Sequence, residues 1–118
     1  MKESIVKDKS KFFALRIIKL YKYLTTTAIN KEYVLSKQVL RSGTSIGANI
    51  KEALRGQSRP DFRAKMNIAL KEASETNYWL DILHATAYLP DDLFNKLNVH
   101  CNELIRILVS ITKKQQTN

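Results

Sequence analysis

From Phe94 onward, the apolar residues Phe94, Leu97, Cys101, Leu104, Leu108 and Ile111 follow one another at gaps of three and four. That spacing lines one face of an α-helix and is incompatible with a strand, whose faces alternate every second residue. Three further stripes share it: Phe13, Ile17, Leu20 and Leu24; Leu35, Val39, Ile46, Ile50 and Ala53; Phe62, Met66, Ala69, Ala73, Leu80, Leu83 and Ala87. No segment sustains strand alternation, and no internal repeat or low-complexity tract interrupts the pattern.

Local signals place the boundaries. Pro60 and Pro90, the only prolines, are each followed by aspartate. Proline suits the first helical turn, where its missing N–H is not needed, and acidic groups there complement the helix dipole. Ser58 is a candidate cap and Gly56 a stop for the preceding helix. Thr25, Thr26 and Thr27 weaken helix propensity before Ala28 to Glu32, and Asn30 closes the first helix. The chain is thus read as helices near 9–29, 33–56, 60–88 and 91–114, one domain over residues 1–118. The fold class is all-α, an antiparallel up-down-up-down four-helix bundle.

The segment RSGTSIGANIKEA, from Arg41 to Ala53, places two glycines within the second helix. Each costs about 1 kcal/mol relative to alanine in a helix interior, a loss that close helix packing offsets. Gly43 and Gly47 face nearly the same side, and with Ala69 and Ala73 they predict a close approach of the second and third helices. The competing reading is a loop that splits the segment into two shorter helices.

Charge then narrows the function. Residues 1–59 hold 13 Lys and Arg against 4 Asp and Glu, while residues 60–118 hold 7 of each, so the whole net charge of +9 belongs to the first half. Such a field favours nucleic acid over an anionic membrane surface or an acidic protein, with solubility alone as the alternative. On the second helix Lys37, Arg41, Lys51 and Arg55 fall on one stripe around Thr44 and Ala48. On the first, Lys11, Lys19 and Lys22 share the outer side with Phe12, Leu15 and Tyr23, and Arg16 sits on its flank. Cations that neutralise phosphates beside rings that stack on bases are the chemistry of single-strand binding. The rings are equally suited to bury against another subunit. Ile68, Trp79 and Ile82 on the third helix also lie off its core stripe, and a second apolar face asks for a partner, so Phe12, Tyr23, Tyr78, Trp79 and Ile82 are the expected subunit contacts.

Other chemistry has little support. No apolar run approaches the roughly 20 residues of a membrane span, and Lys7, Asp8, Lys9 and Lys11 occupy the place of a signal-peptide core. The lone Cys101 cannot form an internal disulfide, in keeping with a reducing, cytoplasmic setting. His84 and His100 stand in no metal-ligand spacing, His84 reads as a core residue, and Cys101 lies in an apolar seam. No catalytic residue, metal or cofactor is expected.

The segments VLRSGTSIGANIKEA, Val39 to Ala53, and KEASETNYWL, Lys71 to Leu80, with Phe62 between them, resemble the bacterial four-helix-bundle family named after the 23S rRNA intervening sequence. They are also similar to the accessory proteins of diversity-generating retroelements. Arg41, Ser42, Gly43, Ser45, Gly47, Asn49 and Glu52 match the first motif, and Glu72, Glu75, Thr76, Tyr78 and Trp79 the second. The resemblance implies an antiparallel bundle assembled as a ring-like pentamer without enzymatic activity. For the retroelement relatives it implies a basic surface that binds nucleic acid and a reverse transcriptase as partner. The expected function is a non-catalytic, oligomeric module that binds RNA or DNA with weak sequence preference. The alternative is a scaffold that docks onto a nucleic-acid enzyme such as a reverse transcriptase. Asn49, Glu72 and Glu75 are expected to form a polar network with Arg41 as donor.

Overall fold

The computed structural model describes residues 2–26 and 30–116, with side chains through 114. It contains helices α1 (Lys2–Thr26), α2 (Leu35–Leu54), α3 (Arg59–Ala85) and α4 (Asp91–Gln116). Helices pack as sequential neighbours, closing with α1 against α4, and no diagonal pair brings its backbones together among the described residues. Contacts run in opposite senses along each neighbouring pair. Lys9 meets Glu103 while Arg16 meets His100, and Glu52 meets Lys65 while Ser42 meets Thr76. The result is an antiparallel up-down-up-down bundle measuring 50 × 21 × 19 Å.

The apolar stripes form the core. Phe13, Ile17, Leu24, Ile46, Ile50, Met66, Leu80, Leu83, Leu97, Leu104 and Leu108 are fully buried. Each such side chain contributes about 1.5–3 kcal/mol relative to exposure. Phe62 and Phe94 pack only partly against that core.

Helix α1 begins at Lys2 rather than residue 9, because Val6 and Ser10 extend its buried stripe by two turns. The expected end at 29, with Thr27 and Ala28, lies outside the described residues, and Asn30 stands in a turn. Helix α2 starts at Leu35 instead of 33. Its N-cap residue, Val34, has no capping side chain; the buried Glu32 carboxylate accepts from the Ser36 and Val34 amides instead, at 2.7 and 3.3 Å. Ser58 caps α3 as expected, its hydroxyl accepting from the Asp61 amide at 3.2 Å.

Helix α3 stops at Ala85, three residues short of the expected end. Ala87 donates to the His84 carbonyl and Tyr88 to that of Leu83, which closes the helix in a Schellman motif. The motif needs a left-handed residue, and Ala87 supplies it at φ 68°. Ala87 is therefore an exposed turn residue rather than part of the core stripe.

The two glycines sit in one continuous helix, which excludes the split-helix reading. They face α1 rather than α3. A Cβ on Gly43 would stand 2.8 Å from both Cγ atoms of Ile17, and one on Gly47 would stand 3.3 Å from Ser10 Oγ. On α2 the face toward α3 belongs instead to Ser42, about 100° around the helix from Gly43, whose hydroxyl accepts from Thr76 at 2.8 Å. The Ala73 carbonyl meets Cys101 of α4 at 3.4 Å.

Candidate nucleic-acid interface

Close approach of α1 and α2 at the glycines leaves a groove of about 500 Å³ above the contact. Its floor is small, built from Ser10, Ala14, Thr44, Gly47 and Ala48, and its rims carry Lys7 and Lys11 from α1 and Lys51 and Arg55 from α2. All four cations are exposed. Among the described residues no carboxylate lines this groove and none forms an ion pair with these four groups. The spacing explains the arrangement. Lys7 and Lys11 are one helical turn apart, as are Lys51 and Arg55, and residues at i and i+4 share a face.

The cations of α1 divide between its two flanks. Toward α4, Lys9 pairs with Glu103 at 3.2 Å, Lys2 donates to the Ser110 hydroxyl, and Arg16 lies 3.4 Å from His100 Nδ1. A larger groove of about 830 Å³ opens there, but its Lys9, Arg16 and Lys96 face Asp8 and Glu103. Of the two grooves, the one toward α2 presents positive charge without a countercharge among the described residues, which makes it the stronger candidate for an anion.

The eight expected contact cations thus fall into three groups. Lys11, Lys51 and Arg55 meet in the groove. Lys19, Lys22 and Lys37 are exposed but outside its lining. Lys22 stands roughly 16 Å along α1 from Lys11 at 1.5 Å per residue. Arg16 is turned to His100, and Arg41 is taken by two carboxylates: its guanidinium lies 3.2 Å from Glu72 and also bonds Glu75. Both contacts hold the Arg41 charge in place, with the Glu75 hydrogen bond raising its pKa most. The expected network therefore forms, but without Asn49, whose amide turns back to the Ser45 carbonyl at 2.8 Å. Trp79 takes that place, donating to Glu75 at 3.2 Å. This donation, and then Arg41, holds the Glu75 carboxyl below its ordinary range.

Sequence reasoning did not bring Lys7 to this groove because it began the first helix two residues after it. The available signal was the pair Lys7 and Lys11 at i, i+4 beside the buried Val6 and Ser10.

Of the expected subunit contacts, Phe12 is 60% exposed and Tyr78 56% exposed. Tyr23 is less open. Trp79 and Ile82 are half-buried, and Trp79 packs against the core. His84 is not the core residue expected. It is half-buried, stacked on Phe94 at 4.0 Å and paired through Nε2 with Asp91 at 2.6 Å, which clamps the turn between α3 and α4. Burial pushes the Cys101 thiol up to about 12, so it stays protonated and inert. No group of three or more His, Cys, Asp or Glu gathers in metal-binding geometry among the described residues. No described helix is long and apolar enough to cross a membrane.

Comparison with known proteins places the fold. The family described as 23S rRNA-intervening sequence protein matches residues 2–110. A 1.70 Å crystal structure of a protein of unknown function, from the S23 ribosomal protein family of Bacteroides thetaiotaomicron, is 54% identical to this chain. It superposes with a TM-score of 0.92, and the match covers 96% of this chain and 99% of that one. No curated protein matches the chain. Neither description names a catalytic activity.

Proposed function

Because the chain belongs to the 23S rRNA-intervening sequence protein family, we propose that it acts as a non-catalytic, oligomeric nucleic-acid-binding module in the cytoplasm. The observation that carries this reading is the groove between α1 and α2, where Lys7, Lys11, Lys51 and Arg55 converge without a carboxylate. Four like charges at close quarters repel one another in the folded chain, and a polyanion relieves that repulsion. Lys19, Lys22 and Lys37 extend the positive surface beyond the groove, and Arg16 and Arg41 serve mainly the fold. The contacts are to phosphate rather than to base edges, which gives weak sequence preference among RNA and DNA ligands.

The oligomer is a ring of identical subunits, a pentamer by the family resemblance, held through Phe12, Tyr23, Tyr78, Trp79 and Ile82. Exposure of Phe12 and Tyr78 supports it, since large aromatic groups are favoured interface anchors. Light scattering coupled to size exclusion tests it directly: a monomer at micromolar concentration removes the oligomer from this reading.

A second reading follows from the same apolar surface, a scaffold that docks onto a nucleic-acid enzyme such as a reverse transcriptase. Converting Lys37, Lys51 and Arg55 together to glutamate separates the two. The binding module loses affinity for a labelled oligonucleotide at low salt, whereas the scaffold, which binds no oligonucleotide on its own, loses only capture of its enzyme.

A further inference from the structure

Resting on the polyanion reading above, we infer that the ligand of the α1/α2 groove is a single nucleic-acid strand whose sugar-phosphate backbone runs along the groove, rather than a duplex. The rims face each other across a narrow floor. Lys7 and Lys11 stand on one side, Lys51 and Arg55 on the other, and Gly47 and Ala48 keep the space between them clear. Along each rim the two cations are separated by one helical turn, about 6 Å, which suits consecutive phosphates of one strand. One chain lying between the rims receives charge from both sides, the arrangement by which positively charged grooves track single strands.

A duplex fits the same surface poorly. Its phosphates lie on the outside of a stiff rod with a persistence length of about 50 nm, and the bundle is itself convex, 21 × 19 Å in section. Two convex rods meet along a line. The rims then cannot enclose one strand without colliding with its complement.

The floor also explains why such binding is indifferent to sequence. Ser10 donates its hydroxyl to the Lys7 carbonyl at 3.0 Å and Thr44 donates to the Leu40 carbonyl at 2.7 Å. Both hydroxyl protons are spent within their own helices, so neither is left to donate to a base. Recognition rests on three ammonium groups and one guanidinium, which read phosphate charge.

The test is fluorescence anisotropy with a fluorescein-labelled mixed-sequence DNA oligonucleotide of about 20 nucleotides at ~50 mM salt. The probe is used alone, as its RNA counterpart, and annealed to its complement. The single strands are expected to bind at least about tenfold more tightly than the duplex, with a log-affinity against log-salt slope near −3 from four cations at about −0.7 each. Lys7→Glu and Lys51→Glu are each expected to weaken single-strand binding by about tenfold or more. Helical circular dichroism and elution volume identify any reversal that disturbs the fold, in which case Lys7→Gln and Lys51→Gln replace it. Duplex binding as tight as single-strand binding, and weakened by the same reversals, overturns the single-strand inference while leaving the polyanion reading intact. Absence of binding to all three probes overturns both. Single-strand binding untouched by the substitutions overturns the groove assignment, and preference for phosphatidylserine vesicles over every oligonucleotide assigns the groove to a membrane surface instead.

Discussion

Replacing Gly43 by alanine probes the contact on which the groove is built. The new methyl group would lie 2.8 Å from Cγ1 and Cγ2 of Ile17 and 3.2 Å from its Cβ. Ile17 is fully buried and, being β-branched in a helix, has one strongly preferred rotamer, so it cannot swing aside. With two contacts at 2.8 Å against a side chain held in one rotamer, overpacking falls in the upper part of its usual range, about 2–3 kcal/mol, while alanine regains about 1 kcal/mol of helix propensity. The expected net loss is about 1–2 kcal/mol, read as a fall in Tm of about 4–10 °C for a chain of this size. Gly47→Ala is the internal control. Its methyl group meets Ser10 Oγ at 3.3 Å, a contact relieved by a few tenths of an ångström, so propensity and crowding nearly cancel. Thermal and urea unfolding followed by circular dichroism, at one fixed protein concentration, measures both. In the background of Gly43→Ala, truncation of Ile17 to alanine costs less than it does alone, by about 1 kcal/mol or more. A Gly43→Ala protein as stable as its parent refutes the argument that α1 and α2 touch at this position.

Three further outcomes are expected. Ala87→Gly relieves the left-handed strain at φ 68° and raises stability by up to about 1 kcal/mol, visible as a higher urea midpoint; a lower midpoint contradicts the Schellman reading. Arg41→Gln breaks the pairs to Glu72 and Glu75 and lowers Tm, yet changes oligonucleotide affinity less than Lys51→Gln does; an equal loss of affinity would return Arg41 to the binding surface. Burial, and then the Arg16 charge, lower the His100 pKa from 6.5, so the unfolded chain takes up the proton first and stability falls as pH drops from 6.5 through the lowered folded value. A second fall follows below 4.5 as Glu75, lowered by Trp79 and Arg41, is protonated. Urea midpoints across pH show both steps, His100→Gln abolishes the first, and a midpoint flat from pH 7 to 5 contradicts it.

The bundle was legible because its information is periodic. The stripe from Leu97 to Ile111 fixes a helix face whatever surrounds it, and Ser58 with Pro60 marks a helix start by local hydrogen bonding alone. What escaped the sequence depends on which faces meet. Gly43 and Gly47 announce a close neighbour without saying which, and only the bundle shows that Ile17 and Ser10 fill their space. Ala87 breaks the preference for glycine at a left-handed position, so nothing in the residue type marks the end of α3. Charge pointed to the first half of the chain but could not show which of its cations meet carboxylates. Arg41 and Lys51 look equivalent on the stripe of α2, and the carboxylates that distinguish them, Glu72 and Glu75, arrive from another helix. Lys7 was lost for the opposite reason: the first turns of α1 carry few apolar residues, so the helix was read as starting only at residue 9.

The central claim is that four unpaired cations between α1 and α2 receive a phosphate backbone, and the salt dependence of binding measures it most directly. Neutralising Lys7 and Lys51 together to glutamine is expected to flatten the log-affinity against log-salt slope for a single-stranded probe by about 1.4, two contacts at about 0.7 each. Neutralising Lys71 and Arg106, exposed on α3 and α4, removes the same charge and is expected to leave the slope unchanged. Equal flattening by both pairs would mean that net charge, and not the groove, attracts the ligand.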